Sequence, residues 1–369
     1  MDFEIEFLPV GDASKAGDAI VARYGQPGSY AVAVIDGGSE DAGSNLVDHI
    51  KQYYGPNIII DHVICTHPDS DHASGLRKVF ESFPVRNLWL HGVWHHSAEI
   101  LPFFVDKRWT QTGLETAIRS EYSIIEELID LATAQSTPIH EPFAGQQIGP
   151  FTVLSPTQWA YERLIPQFRK SPAPDIDRLK AENMWIGERP QPSLLGALIE
   201  KAVSWVPEIW EFELLREGAV TAAENESSTV LFGQFGTLSV LLTADAGVNG
   251  LTWACNQAQS NGIDLSKATL VQVPHHGSRS NVTPSVLDRL LGPRVPRGSS
   301  EKRFAVVSAP KDDENHPRKM VMNAFIRRGA GVRKTQGQYF RFHSGTMPHR
   351  PAEGSAQPFS FFDRVENYD

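Results

Sequence analysis

The hexapeptide His67-Pro68-Asp69-Ser70-Asp71-His72 sets four metal-ligand types side by side, directly after an apolar run. Imidazole nitrogens and carboxylate oxygens together suit a borderline or hard divalent cation, and a short loop holds them near final geometry by backbone rather than by flexible side chains. Alternation sends His67 and Asp69 to one side, while Asp71 and His72 can reach another, so two neighbouring ions become accessible from one loop. The plain alternative is a solvated Asp- and His-bearing turn. A second cluster, His275-His276-Gly277-Ser278, and a lone Asp245 in Ala244-Asp245-Ala246-Gly247 weigh against that alternative, because each also follows an apolar run.

The elements that must carry these residues are short strands. Asn57 to Thr66, Leu238 to Thr243 and Ala268 to Val273 are β-branched or apolar runs of the length of a buried strand, and each ends at a ligand type flanked by Gly or Pro. Separate loops can then converge at one edge of a pair of sheets. Further strand signals lie at Glu4 to Pro9, Ala19 to Tyr24, Ala31 to Ile35, Asn87 to His91, Phe151 to Leu154, Ser228 to Gln234, Phe304 to Ser308 and Gln338 to Phe342. Helical patterns fall at Gly43 to Tyr53, Gly75 to Ser82, Thr110 to Ala134, Asn249 to Gln259, Pro284 to Leu291 and Pro317 to Arg328. Residues from about 157 to 224 break the rhythm, with helical patterns at Trp159 to Phe168 and Leu194 to Trp205, and read as an insertion or lid. The expected organisation is one α/β domain over 1–345 with that insertion, followed by a C-terminal tail over 346–369.

Composition bounds the setting. A chain of 369 residues, 41% hydrophobic and 21% charged, can bury a sizeable core and is not disordered throughout. Two cysteines, Cys65 and Cys255, exclude a disulfide-dense scaffold and a four-cysteine zinc site. The opening MDFEIEFLPV has no basic stretch ahead of an apolar core, and no window approaches the roughly 20 apolar residues of a membrane span, so a soluble cytoplasmic protein is expected. The net charge of −10 argues against bulk electrostatic coating of nucleic acid. It is uneven, however: Arg279 to Arg341 hold 14 Lys and Arg against 5 Asp and Glu. A basic approach to the metal edge, favouring an anionic substrate, is one reading, and a solvated basic face is the other.

HPDSDH, LLTADAG, VPHHGS and VVSAPKDDENHP, in that order, resemble the metallo-β-lactamase superfamily, and specifically the hydrolase domain of ComEC-type DNA-uptake proteins. GDAIVARYG, VIDGG, FTVLSP, NESSTVLFG and VRKTQGQYFRF are similar to the same branch, so the resemblance covers about 3–155 and 225–343. It implies an αββα sandwich with the helical insertion outside it. It also implies two divalent ions, Zn²⁺ or Mn²⁺. His67 and Asp69 would hold the first, Asp71 and His72 the second, Asp245 would bridge them, and His275 or His276 would complete the second site. The superfamily usually has His at the position of Asp69, and this harder oxygen ligand brings Mn²⁺ or Mg²⁺ in beside Zn²⁺. The mid-chain histidine that completes the first site has no clear equivalent among His91, His95, His96 and His140, which leaves that ion weakly held or completed by water.

Around this core, Asp71 is expected to act in catalysis as well as ligation, and His316 either as a general acid or anion holder or as part of a helix cap before Pro317. Asp36 and Ser278 would orient ligand loops or simply close turns. Arg279, Asn225 and Ser228 are the candidates for touching substrate, the last two being turn formers otherwise. Two ions close together activate water for ester, lactone, β-lactam and phosphodiester hydrolysis alike. The ComEC-like motifs and the basic segment favour a phosphodiesterase or nuclease acting on nucleic acid or a nucleotide. A small-molecule ester or lactone hydrolase, and a noncatalytic nucleic-acid or protein-binding module, are the alternatives.

Overall fold

A computed structural model describes residues 1–11, 17–187, 205–313, 315–350 and 356–368. Its strands are β1 (Asp2–Phe7), β2 (Ala19–Gln26), β3 (Ser29–Gly37), β4 (His62–Ile64), β5 (Leu88–Trp89), β6 (Ile139–His140), β7 (Gln147–Ile148), β8 (Phe151–Ser155) and β9 (Trp205–Pro207). They continue as β10 (Val230–Phe235), β11 (Leu238–Leu242), β12 (Leu270–Gln272), β13 (Arg303–Val307), β14 (Ala330–Lys334), β15 (Phe340–Ser344), β16 (Gln357–Pro358) and β17 (Arg364–Glu366). One sheet runs β15-β1-β2-β3-β4-β5-β6 and the other β16-β14-β13-β12-β11-β10-β8-β7. Each sheet has an antiparallel part and a parallel part, β3 to β6 in the first and β11 to β14 in the second.

The pleat explains the layering. In β1 the apolar Phe3, Ile5 and Phe7 face the second sheet and join Ile20, Ile35, Ile64, Val153, Leu231, Leu242 and Val306 in the inter-sheet core. Helices cover the two outer faces. Glu40–Tyr53 and Leu76–Ser82 lay Leu46, Ile50, Leu76 and Val79 on the first, while Val248–Ser260, Pro284–Leu291 and Lys319–Arg327 lay Leu251, Val286, Leu287 and Phe325 on the second. The fold is the αββα metallo-β-lactamase sandwich anticipated from the motifs.

Several expectations shift. Asn57 to Thr66 contributes only His62–Ile64 to the ladder, because Ile60 makes an isolated bridge to Val85. The long helix at Thr110 to Ala134 is two helices, Gln111–Glu121 and Ser123–Ala134, parted at Tyr122 where ψ turns to 49°. The pattern at Leu194 to Trp205 lies outside the described residues apart from Trp205, which starts β9. The C-terminal segment is built into the body: β16 pairs with β14, β17 pairs with β9, and Val365 is fully buried. No helix among the described residues is long and apolar enough to cross a membrane.

Candidate metal centre

The ligand loops leave the C-terminal ends of parallel strands. β4 ends at Ile64 and delivers His67, β11 ends at Leu242 and delivers Asp245, β12 ends at Gln272 and delivers His275 and His276, and β3 carries Asp36 at its end. This edge of a parallel sheet is where connections diverge and open a crevice. Asp36, Ala244, His275 and His276 all adopt left-handed φ, at 54°, 44°, 46° and 54°, a conformation that costs about 1–3 kcal/mol per non-glycine residue and is kept only where surroundings enforce it. The enforcing bonds are present. His275 N–H donates to the Ala244 carbonyl at 3.1 Å, and Ser278 N–H to the His275 carbonyl at 2.9 Å. The Asp36 carboxylate accepts from Thr66 N–H at 2.8 Å and Thr66 Oγ1 at 2.7 Å. Gly17, at φ 124°, is required because a Cβ there would collide with the Asp71 carbonyl.

Asp245 sits between two groups of imidazoles. On one side, its Oδ1 lies 3.4 Å from His72 Nε2 and 3.8 Å from His276 Nε2. On the other, its Oδ2 contacts His275 Nδ1 and lies 3.9 Å from His67 Nε2. The far nitrogens fix which atom points inward: His72 Nδ1 is held by Asp36 Oδ2 at 2.8 Å, and His276 Nδ1 donates to the Ser308 carbonyl at 3.1 Å. Asp71 joins His72 and His276 in one compact set of ligand atoms. Burial disfavours charge on His72, but the Asp245 and Asp36 carboxylates outweigh it and hold its pKa well above the ordinary value. Burial likewise opposes ionisation of Asp245, and His275, His72 and His276 together pull it well below the usual carboxylate range.

These residues fit a divalent cation. His67 Nε2, His72 Nε2, His276 Nε2 and Asp245 Oδ1 are all buried without a hydrogen-bond partner. An unanswered buried polar atom costs about 1–3 kcal/mol, so such atoms gathered around one carboxylate call for a shared counter-charge. The mixed nitrogen and oxygen donors suit a divalent metal ion.

The other sequence candidates are placed less uniformly. Asp69 turns to Arg169, whose Nη2 donates to both its oxygens at 2.6 and 2.7 Å. Asn225 lies beside His275, 3.3 Å from its Nδ1, and Ser228 is fully buried with its hydroxyl unpaired. Ser278 Oγ accepts from Ser280 N–H and closes the turn after His276. His316 pairs through Nδ1 with Asp313 at 3.0 Å, and burial pushes its pKa down. Arg279 faces the C-terminal segment instead, donating to the carbonyls of Asn367 and Tyr368. Much of the basic stretch is committed in the same way: Arg327 pairs with Glu208, Arg328 with Glu213 and Asp288, and Arg341 with Glu4. His91 stacks on Tyr161, and burial pushes it down to about 3. His96 is held between Glu141 and Glu162, and His140 by Asn87.

Sequence reasoning missed Asp18, Glu224 and Arg169. Asp18 is buried beside His72, with Oδ2 3.8 Å from its Nδ1 and fixed by Gln272 Nε2 at 2.7 Å. The GDAIVARYG motif was its signal. Arg169 carried no local signal, since its partner Asp69 lies 100 residues away.

Residues 20–142 match the model of the metallo-beta-lactamase superfamily, which consists largely of metal-dependent hydrolases. No curated protein matches the chain. Among solved structures, Zn(2+)-bound PqqB from Methylobacterium extorquens is similar at 11% identity and TM-score 0.44, covering 92% of this chain and 99% of that one. The hydrolase AbOPH of the beta lactamase superfamily is similar at 10% identity and TM-score 0.32, covering 68% and 70%. A long form RNase Z from yeast is similar at 11% identity and TM-score 0.37, covering 92% and 42%.

Proposed function

We propose that this chain is a metal-dependent phosphodiesterase or nuclease, in which His67, Asp71, His72, Asp245, His275 and His276 would hold Zn²⁺ or Mn²⁺. The observation that carries the metal half is the gathering of buried, unanswered nitrogens of His72 and His276 at Asp245 Oδ1, with Asp71 beside them. A divalent ion there supplies Lewis-acid charge and an activated water near neutral pH. The chain's own residues do the rest. Asp36 and the Ser308 carbonyl keep the ligating nitrogens turned inward, and the Asp245 carboxylate holds His275 through Nδ1. The Asp313–His316 pair, electrostatically close to His276, is suited to take a proton at Nε2, because Asp313 occupies Nδ1 and burial favours the neutral imidazole. The preference for a diester rests on the ComEC-like motifs and on Arg169 and Lys170 in the groove beside Asp69 and Asp71. Buried, unpaired Cys65 and Cys255 suit a reducing cytoplasm.

A hydrolysis screen with Mn²⁺ or Zn²⁺ tests this, offering bis(p-nitrophenyl) phosphate, DNA and RNA oligonucleotides, lactones and simple esters. Turnover of a diester, lost by at least about 100-fold in His67→Ala and Asp245→Ala, is expected. Inertness towards every diester with turnover of a lactone or ester would replace the reading with a small-molecule hydrolase.

A further inference from the structure

We propose that Arg169 is a built-in cation on the Asp69 side of the centre, yielding that side to a second divalent ion when a phosphodiester anion takes the guanidinium. The two sides of Asp245 differ in what answers their ligand atoms. Towards His72 and His276 the facing atoms have no partner, whereas both oxygens of Asp69 are taken by Arg169 Nη2, at 2.6 and 2.7 Å, and Asp245 Oδ2 is taken by His275. Asp69 belongs to none of the compact ligand clusters among the described residues, although His67 Nε2 stands 4.0 Å from its Oδ2. A guanidinium charge therefore sits where a first ion would draw on Asp69.

Its mounting suits exchange rather than permanent closure. Arg169 is rooted by Glu224, a buried carboxylate whose Oε1 accepts both its backbone N–H, at 2.6 Å, and its Nε, at 3.1 Å. The far end of the side chain is free to change partner while the root stays fixed. The Arg169 side chain is 54% exposed, in the wall of a groove of about 440 Å³ shared with Asp69, Asp71, Tyr122 and Lys170. A half-solvated ion pair holds weakly, and one guanidinium nitrogen, Nη2, carries the whole contact with Asp69, so a phosphate oxygen can take its place. A diester entering the groove would compete with Asp69 for that nitrogen, and the released carboxylate would turn towards His67 and a second ion.

The substrate half rests on the diester reading above, but the metal half does not, and calorimetric Mn²⁺ titration separates them. The wild-type chain should bind one Mn²⁺ tightly and a second at least about tenfold more weakly. Saturating dimethyl phosphate, a diester that does not chelate, should tighten the second. In Arg169→Ala the second ion should tighten about tenfold with no diester present, and dimethyl phosphate should add nothing. Arg169→Lys keeps the charge but loses the planar guanidinium that reaches Glu224 and Asp69 together, and should fall between, with circular dichroism confirming that both variants fold. Equal affinity for two ions in wild type, or an unchanged second ion in Arg169→Ala, overturns the proposal. A shift in Arg169→Ala without any effect of dimethyl phosphate on wild type overturns the substrate half alone.

Discussion

The two oxygens of Asp245 face differently furnished halves of one site. Oδ1 looks towards His72 and His276, whose Nε2 atoms are buried and unanswered, while Oδ2 looks towards His67, whose Nε2 is unanswered too, but is already in contact with His275. Supporting contacts follow the same division. On the Oδ1 side the rear nitrogens are fixed by Asp36 and the Ser308 carbonyl, so two rotamers and two tautomers are set in advance. On the Oδ2 side His67 Nδ1 touches only the Thr66 hydroxyl at 3.0 Å, and Asp69 is engaged by a residue of the segment after Thr157. A pair of strand-end loops can thus build one half of a metal site for binding and leave the other for control.

The largest break in that comparison should come from the histidines. His276→Ala is expected to weaken the tighter Mn²⁺ by about 100-fold, and His67→Ala to leave it within about threefold while abolishing the weaker one, as read by calorimetry. Equal losses from the two variants would erase the distinction between the halves.

A second contrast sets Asp245 against Glu226, another buried carboxylate. Imidazoles surround Asp245, whereas Glu226 is met only by neutral donors, among them Gly250 N–H at 2.7 Å and Asn249 Nδ2 at 3.2 Å. Burial therefore wins and raises its pKa from 4.5 to about 7. The folded chain holds this proton over a range in which the unfolded chain has lost it. Stability from Glu226 is therefore full below about pH 4.5 and is lost as pH rises through about 7, by about 3 kcal/mol in all. Denaturant unfolding at a series of pH values should show this slope in wild type and its loss in Glu226→Gln. Parallel profiles for the two chains would mean that the carboxylate is answered by charge after all.

The smallest effect is expected at Arg279, which follows HHGS in sequence yet holds the C-terminal segment in space. Arg279→Ala should lower the melting temperature by about 1 °C, through about 1 kcal/mol of lost hydrogen bonding, without altering Mn²⁺ affinity. A change in metal or diester affinity would return Arg279 to the site.

These particulars show which parts of the site are written locally. HPDSDH, TADAG and PHHGS each follow their own strand, so ligand type and strand end can be read within about ten residues, and the strand-to-loop register follows from the pleat. Pairings across the chain leave no such mark. Arg169 meets Asp69 over 100 residues of separation, and Gln272 meets Asp18 over 254. The basic run after HHGS shows the same limit, since Arg327, Arg328 and Arg341 are drawn into internal pairs by carboxylates elsewhere in the chain. Local composition reports charge, and only folding decides what neutralises it.

The most direct test is anomalous diffraction from crystals grown with Mn²⁺ and measured at the manganese edge. A strong peak bounded by His72 Nε2, His276 Nε2 and Asp245 Oδ1 is expected, with a weak or absent peak at Asp69 while Arg169 remains paired to it. No peak among His72, His276 and Asp245, or the stronger peak on the Asp69 side, would contradict this expectation.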